Sequence, residues 1–272
     1  MAGDPPPDAT LTAWWDEPAD GAWNMAADEA LATEAARLGG TLVRLYGWTS
    51  TTVSLGAFQP IGALEHAAPL AGLPVVRRPS GGGAIIHGTD LTYAAAVPRR
   101  HPWGSTPRAF YDALHAEMVA ELRARGIAAR LHAGGPVSPE ALLCFDRRTD
   151  GDIVASRPGR PAAADDPKIM GSAQRRLAVA VVQHGSLLLR ENAAVPRVAR
   201  RPGLDALAAG GHGGARPGPV SAKDLAAAWL QRVAARLGAG LCISSEPFAE
   251  ARRDAIAVAS RRFRESDWTR RR

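Results

Sequence analysis

The chain has 272 residues, 46% of them hydrophobic, which suits one large domain with a substantial core and excludes a wholly disordered chain. Its longest apolar runs, such as 177–182 and 187–189, are far too short to span a membrane, and residues 1–10 lack the basic start and apolar run of a signal peptide, so a soluble, cytoplasmic protein is expected. The formal net charge is +6, carried by thirty-one arginines against two lysines, Lys168 and Lys223.

Such a basic balance fits either nucleic acid or an acidic protein partner. Aromatic residues make up 6% and none alternates with a basic run to form a stacking platform, which argues against nucleic acid. Two cysteines, Cys144 and Cys242, are too few for a disulfide framework, and the seven histidines show no metal-ligand spacing. No metal is expected. In a chain this poor in lysine, a surviving lysine outside an ordinary helical face points to a need that arginine cannot meet: a compact ammonium or a releasable proton. Lys223 sits in such a helical face; Lys168 does not.

In chain order, residues 1–12 read as a flexible N-terminal segment ahead of a single domain over 13–272. A helix is predicted over 22–38, with Asn24 near its start and Gly39-Gly40 as its stop. Short strands follow at 42–46, 52–55 and 74–78, then the loop Pro79-Ser80-Gly81-Gly82-Gly83, then strands at 84–87 and 91–97. Residues 107–125 make the clearest helix: Pro107 opens it, Phe110, Leu114, Met118 and Leu122 form one apolar stripe, and Gly126 ends it. Strands are predicted at 127–132, 152–155 and 177–189, the last bent at His184-Gly185, with an exposed loop over 157–167. The glycine- and proline-rich stretch 196–220 reads as a long connection. Ser221 with Asp224 caps a helix to 237, and a last helix over 247–262 completes a helical part spanning 221–272. Strands early, with helices between and after, indicate an α+β fold.

Three segments carry chemistry. The loop Ser80-Gly81-Gly82-Gly83, flanked by Arg77 and Arg78 before it and by Ala84, Ile85, Ile86 and His87 after it, lets backbone approach a ligand and turns several N–H groups inward. It is neither a dinucleotide fingerprint nor a P-loop, and a plain hairpin turn is its simplest reading. Lys168 precedes the small residues Gly171, Ser172 and Ala173, so a ligand or a thiol can lie near its ammonium. Cys144, between Leu143 and Phe145, lies at a loop edge ahead of that lysine, whereas Cys242, between Leu241 and Ile243, reads as buried core.

Taken together, these segments resemble the lipoate-protein ligase and octanoyltransferase superfamily. Residues 77–87 with Leu91-Thr92-Tyr93 resemble its glycine-loop signature, and Asn24 to Leu31 its first-helix motif. Leu45-Tyr46-Gly47-Trp48 and Val53-Ser54-Leu55-Gly56 are similar to its early strands. Asp152-Ile153-Val154, Lys168 to Arg175 and Gln183-His184-Gly185-Ser186 resemble the segment bearing its essential lysine, and Asp267-Trp268 its closing motif. The resemblance implies a mixed β-sheet flanked by helices, like the catalytic domain of biotin and lipoate protein ligases, with an acyl chain in a tunnel beside the glycine loop. Cys144-Phe145-Asp146 resembles the site where one cysteine-dependent transferase type holds an acyl-thioester. Gly83 is the ligase-like form of the loop, and Gly88 stands where an acidic residue usually follows the histidine.

The expected activity is therefore transfer of an octanoyl or lipoyl group from acyl carrier protein to a lysine of a lipoyl-domain or glycine-cleavage H-type protein. Cys144 and Lys168 are the expected catalytic pair. Arg77, Arg78, Ser80, Gly81, Gly82, Gly83, Ala84, Ile85, Ile86, His87, Gly171, Ser172, Gln174 and His184 are the expected substrate-binding residues, in a monomer needing no cofactor. Two alternatives stay open: an ATP- and Mg-dependent ligase half whose accessory domain is a separate chain, and a non-catalytic module that binds acyl or lipoyl carriers.

Overall fold

The computed structural model of the chain describes residues 10–65, 70, 72–157, 159–208, 220–245 and 250–271. The strands are β1 (Thr10–Trp15), β2 (Thr41–Tyr46), β3 (Thr52–Leu55), β4 (Val75–Arg77), β5 (Ile85–His87), β6 (Asp90–Pro98), β7 (Ala129–Leu131), β8 (Ile153–Ala155), β9 (Lys168–Arg176), β10 (Ala180–Leu188) and β11 (Gly240–Ile243). Four helices are long: α1 (Gly21–Leu38), α4 (Pro107–Ala124), α6 (Ala222–Leu237) and α7 (Glu250–Arg264). Four are short: α2 (Gly62–Glu65), α3 (Pro102–Ser105), α5 (Leu204–Ala208) and α8 (Ser266–Arg270). Among the described residues, no helix is long and apolar enough to cross a membrane.

Eight strands form a mixed sheet in the order β11-β1-β2-β6-β10-β9-β8-β7, and a small sheet has the order β4-β3-β5. Both faces of the large sheet are covered, and the period-two alternation of its central strands shows why. On β6, Leu91, Tyr93, Ala95 and Val97 join Phe110 and Leu114 of α4 and Trp229 and Val233 of α6 in one core. Ala94 and Ala96 face the other way, onto Met25, Ala26 and Leu31 of α1. Alanines on that side let α1 lie close to the sheet. Trp229 is fully buried, and its indole N–H donates to the Leu114 carbonyl at 3.0 Å, fixing α6 on α4.

The helix ends follow local chemistry. Asp20 accepts the N–H of Trp23 at 2.8 Å and caps α1. Asn24, inside the first turn, is buried and donates instead to the carbonyl of Gly47 at 3.1 Å. Ser221 accepts the N–H of Asp224 at 3.3 Å at the start of α6, as its spacing predicts.

The structure corrects four expectations. β1 starts at Thr10, so residues 10–12 are sheet rather than a flexible segment; buried Leu11 pairs with Thr41 and Leu241 on either side. Residues 1–9, 209–219 and 246–249 lie outside the described residues. β9 was not predicted, because small and polar residues from Gly171 to Gln174 hide a strand that is paired along both edges. β10 runs straight through His184-Gly185, in register with Ala94 and Tyr93 of β6 and with Ala173 and Ser172 of β9. Cys242 is exposed, because β11 is an edge strand paired to β1 alone among the described residues.

Gly185 is needed for packing, not for bending. A Cβ there would lie 2.2 Å from Ser172 Oγ and 2.5 Å from a ring carbon of Tyr93. Gly185→Ala is expected to destabilise the fold by about 1–3 kcal/mol, the usual cost of overpacking. Gly135→Ala, at an open position, should stay within about 0.5 kcal/mol. Urea denaturation of the two variants beside wild type measures both.

Candidate active site

β4 and β5 of the small sheet hold the glycine loop between them, and Arg78 clamps it. Its Nη1 donates to the Ser54 carbonyl at 2.5 Å and to Ser54 Oγ at 2.7 Å, and its Nη2 to the carbonyls of Gly81 and Gly83 at 3.2 and 2.7 Å. Burial lowers the Arg78 pKa to about 10, while the negative charge of nearby Cys144 works the other way. A trans peptide points its N–H opposite to its C=O. Carbonyls drawn to Arg78 therefore turn the N–H groups of Gly82 and Ala84 away from it. Ala84 N–H is taken by the Leu142 carbonyl at 2.9 Å, and Cys144 N–H returns to the Ala84 carbonyl at 2.7 Å. The N–H groups of Gly81, Gly82 and Gly83 carry no hydrogen bond within the described residues.

This double bond docks the single turn Cys144–Asp146 on the loop. Gly83 permits the contact: a Cβ there would lie 2.9 Å from both the Cα and the N of Cys144. Across from the loop, Lys168 opens β9 and is 5% exposed. Its Nζ lies 3.4 Å from Cys144 Sγ and 2.7 Å from Asp152 Oδ2. The side chain needs the space that Gly171 leaves, since a Cβ at 171 would lie 2.5 Å from its Cε. A register shift where β8 pairs with Lys168 and Met170 lets Lys168 and Gly171 share this side, three residues apart. Burial pushes the Lys168 pKa down, but the charges of Cys144 and Asp152 outweigh it and hold the pKa above the ordinary lysine value. Lys168 is a fixed ammonium, not a base.

Asp152 has its own support. Its Oδ2 accepts the N–H and hydroxyl of Thr149 at 2.8 and 3.2 Å. Behind it, His115 Nδ1 bonds the Gly151 carbonyl at 2.7 Å, and Nε2 bonds Ser172 Oγ at 2.7 Å. Tyr93 joins Ser172 at 2.7 Å and accepts from Gln183 Nε2 at 2.7 Å; Gln174 donates to Gln183 Oε1 at 2.9 Å and to the Pro107 carbonyl at 2.7 Å.

A second polar cluster lies on the far side of the loop. His184 bonds Ser80 through Nε2 and Asp28 Oδ2 through Nδ1 at 3.1 Å. Asp28 also accepts from Arg44 at 2.8 Å and from the Tyr46 hydroxyl at 2.9 Å. His87 stacks on Trp48 with ring centres 3.9 Å apart, bonds Ser54 at 2.7 Å and Asp90 at 2.8 Å. Burial raises the Asp90 pKa, but bonds from His87, Ser186 and Gly88 N–H bring it to about 2. Of these groups, Tyr46, Trp48, His87, His184 and Ser186 line a cavity together with Met25, Ile85 and Gly185.

The structure brings Cys144, Lys168, Arg78, Gly83 and Gly171 together, and sets Ile85, His87 and His184 on the adjoining cavity. It does not bring Arg77, Ser172 or Gln174 to Cys144. Arg77 is fully buried and donates to the carbonyls of Gly56, Gln59 and Thr269. Trp268 Nε1 returns a bond to the Arg77 carbonyl at 3.0 Å, so the closing Asp267-Trp268 motif braces β4. Ser172 and Gln174 face α4, opposite to Gly171. Asp152, His115, Asp28 and Asp90 went unread as site residues; an acidic residue standing alone at the head of an apolar strand was the available signal for Asp152. Among the described residues no cluster of three or more His, Cys, Asp or Glu side chains is placed to hold a metal ion.

The signature of the lipoyl protein ligase A/B catalytic domain matches residues 20–200, which contain both Cys144 and Lys168. The chain belongs to this family. An octanoyltransferase LipM from Carboxydothermus hydrogenoformans is 34% identical over 176 residues, covering 62% of this chain and 61% of that protein. A second, from Moorella thermoacetica, is 36% identical over 180 residues, again covering 62% and 61%. The chain thus aligns with about three-fifths of the length of the curated relatives it matches. The bipartite lipoate protein ligase from Thermoplasma acidophilum superposes with a TM-score of 0.63 at 18% identity, over 97% of this chain and 96% of that one. The lipoyl ligase A/B fold, a mixed sheet flanked by helices, is the one expected from the sequence.

Two predictions follow from the geometry of this lipoyl ligase-family site. Because an ammonium 3.4 Å from a thiol favours its reactive form, Lys168→Ala should slow iodoacetamide alkylation of Cys144 at pH 7 by about tenfold, leaving the exposed Cys242 unchanged; equal rates at Cys144 would show the two are uncoupled. Burial lowers the His115 pKa to about 4, whereas the unfolded chain binds that proton below about pH 6.5. Stability from a neutral His115 is complete above about pH 6.5 and is lost progressively toward pH 4, about 3 kcal/mol in all. Urea denaturation at pH 7 and pH 4 should show wild type losing that much more than His115→Asn; parallel losses would contradict it.

Proposed function

We propose that this chain moves an octanoyl or lipoyl group from acyl carrier protein to a lysine of a lipoyl-domain or glycine-cleavage H-type protein, through a thioester on Cys144. The observation that carries this reading is the contact of Lys168 Nζ with Cys144 Sγ at 3.4 Å, braced by Asp152 at 2.7 Å. A buried ammonium favours a thiolate beside it, and a thiolate is the form of cysteine that attacks. The names of the curated relatives, octanoyltransferases, favour the eight-carbon group.

In the first half-reaction, Cys144 Sγ attacks the carbonyl of the donor thioester. The unpartnered N–H groups of Gly82 and Gly83 supply the oxyanion stabilisation; Ala84 N–H, engaged with Leu142, does not. Collapse expels the carrier thiolate and leaves octanoyl-Cys144. In the second half, a neutral lysine amine of the acceptor attacks that carbonyl, Cys144 leaves as thiolate beside Lys168, and the amine gives up its proton as the amide forms. The acyl tail lies in the cavity between Trp48 and the glycine loop, where Met25, Trp48 and Ile85 supply apolar wall. The net charge of +6 suits acidic protein partners. The reaction needs no cofactor, and the protein acts as a cytoplasmic monomer.

Intact mass spectrometry tests this. Mixed with octanoyl-acyl carrier protein and no ATP, the protein should gain one octanoyl mass that hydroxylamine removes, in wild type and Cys242→Ser and not in Cys144→Ser. Modification that requires ATP, Mg and free fatty acid would instead establish the ligase; tight carrier binding without any turnover would establish the binding module. Lys168→Arg should lower kcat/KM by about 10²-fold or more, because a planar fork cannot replace a compact ammonium against Gly171. A change of only a few-fold would remove Lys168 from the chemistry.

A further inference from the structure

β5 divides two cavities. Ile85 and His87 face the one assigned to the acyl tail, whereas Ala84 and Ile86 face a second, on the other side. Leu143 and Phe145, the two neighbours of Cys144, form part of its wall. The Phe145 ring centre lies 5.9 Å from Lys168 Nζ, so this second cavity reaches the edge of the cysteine–lysine pair.

Its lining is graded. Ala84, Leu188, Val195 and Ala199 are buried and apolar. Thr89 and Asn192 are already engaged, Thr89 Oγ1 with the Arg190 carbonyl at 3.0 Å and Asn192 with Thr51, His87 and Ala194, and Arg190 is the fully exposed one of the three arginines that line the cavity. The three guanidinium groups are not equivalent. Arg200 pairs with Glu191 at 3.1 Å and Arg201 with Asp146 at 2.5 Å, whereas Arg190 has no acidic partner among the described residues.

We propose that this cavity holds the phosphopantetheine arm of the acyl donor, with Arg190 meeting its phosphate. The proposal rests on the donor being a carrier thioester. Such an arm ends in the sulfur that bears the acyl group, continues through methylene, amide and dimethyl groups, and joins its carrier by a phosphodiester. The apolar wall at the neighbours of Cys144 suits the methylene and dimethyl groups of the arm, and an exposed guanidinium suits its phosphate. The acyl tail and the arm would then leave the thioester carbonyl on opposite sides of β5, which places the carbonyl at the glycine loop. A charge-assisted contact between guanidinium and phosphate is about twice as strong as a neutral one, and arginine suits phosphate geometry.

Calorimetric titration with S-methyl phosphopantetheine and S-methyl pantetheine, whose blocked sulfurs cannot exchange with Cys144, tests the site directly. The phosphate-bearing probe should bind about tenfold more tightly to wild type. Arg190→Ala should remove most of that difference, and Arg190→Glu should remove all of it. Equal affinity of the two probes, or Arg190 variants that bind like wild type, would overturn the proposal. So would AMP binding that depends on Arg190 without competition from S-methyl phosphopantetheine, which would mark a nucleotide pocket. The readout is independent of acylation. Phosphate-dependent binding that needs Arg190 supports the arm site even if Cys144 takes up no acyl group, whereas acylation at equal KM from octanoyl-pantetheine and octanoyl-phosphopantetheine removes the arm site and leaves the cysteine chemistry intact.

Discussion

A lysine ammonium that is 5% exposed has lost nearly all of its water, and leaving such a charge without a partner costs several kcal/mol. Lys168 recovers that energy from two sides, through the Asp152 carboxylate at 2.7 Å and the Cys144 sulfur at 3.4 Å. Much of the surrounding architecture serves these two contacts. Gly171 clears the space for the side chain, the register shift between β8 and β9 aims it, and Thr149 and the His115–Gly151 bond hold the turn that presents Asp152. Under the proposed transfer, acylation of Cys144 would take one of the two counter-charges from Lys168 and release of the product would return it, so the ammonium would favour the thiolate as a leaving group.

The glycine loop is held by a different economy of contacts. Arg78 takes two of its carbonyls and Arg77 ties the preceding strand to the C-terminal turn, so the pair of arginines acts mainly on backbone. Among the described residues this leaves the N–H groups of Gly81, Gly82 and Gly83 without a hydrogen bond, and Gly83 lies against Cys144. Gly82 is exposed and its N–H can meet water, whereas Gly83 is buried, where a backbone donor is rarely left unmet and a ligand oxygen is the natural acceptor. The loop is also the partition between the two cavities. Because side chains alternate along β5, one strand lines both.

The sequence shows much of this, for identifiable reasons. α1, α4 and α6 are legible because their caps and apolar stripes are local signals, and the sparing use of lysine marked Lys168 before any geometry was known. The proximity of Cys144 and Lys168, twenty-four residues apart, rests on the pairing of β8 with β9 and on the docking of the Cys144 turn to Ala84, neither of which has a local signature. β9 escaped notice because the very residues that make room for the lysine, Gly171 and its small neighbours, have weak strand propensity. Arg77 was read as a pocket residue by its place beside Arg78, yet adjacent residues of a strand face opposite ways, and only Arg78 turns to the loop. Cys242 looked like core from its apolar neighbours, and the edge position of β11 could not be seen from them.

The central claim is that Lys168 is held charged by Cys144 and Asp152 together. With two lysines in the chain, it is open to direct observation by NMR of protein labelled with carbon-13 at the lysine ε-position, which gives two side-chain signals to follow against pH. Lys168 should remain protonated beyond the ordinary lysine value of about 10.4, and Cys144→Ser should bring its titration down while leaving that of Lys223 in place. A Lys168 signal that titrates below about 10.4, or at the same pH with and without the sulfur, would contradict the account.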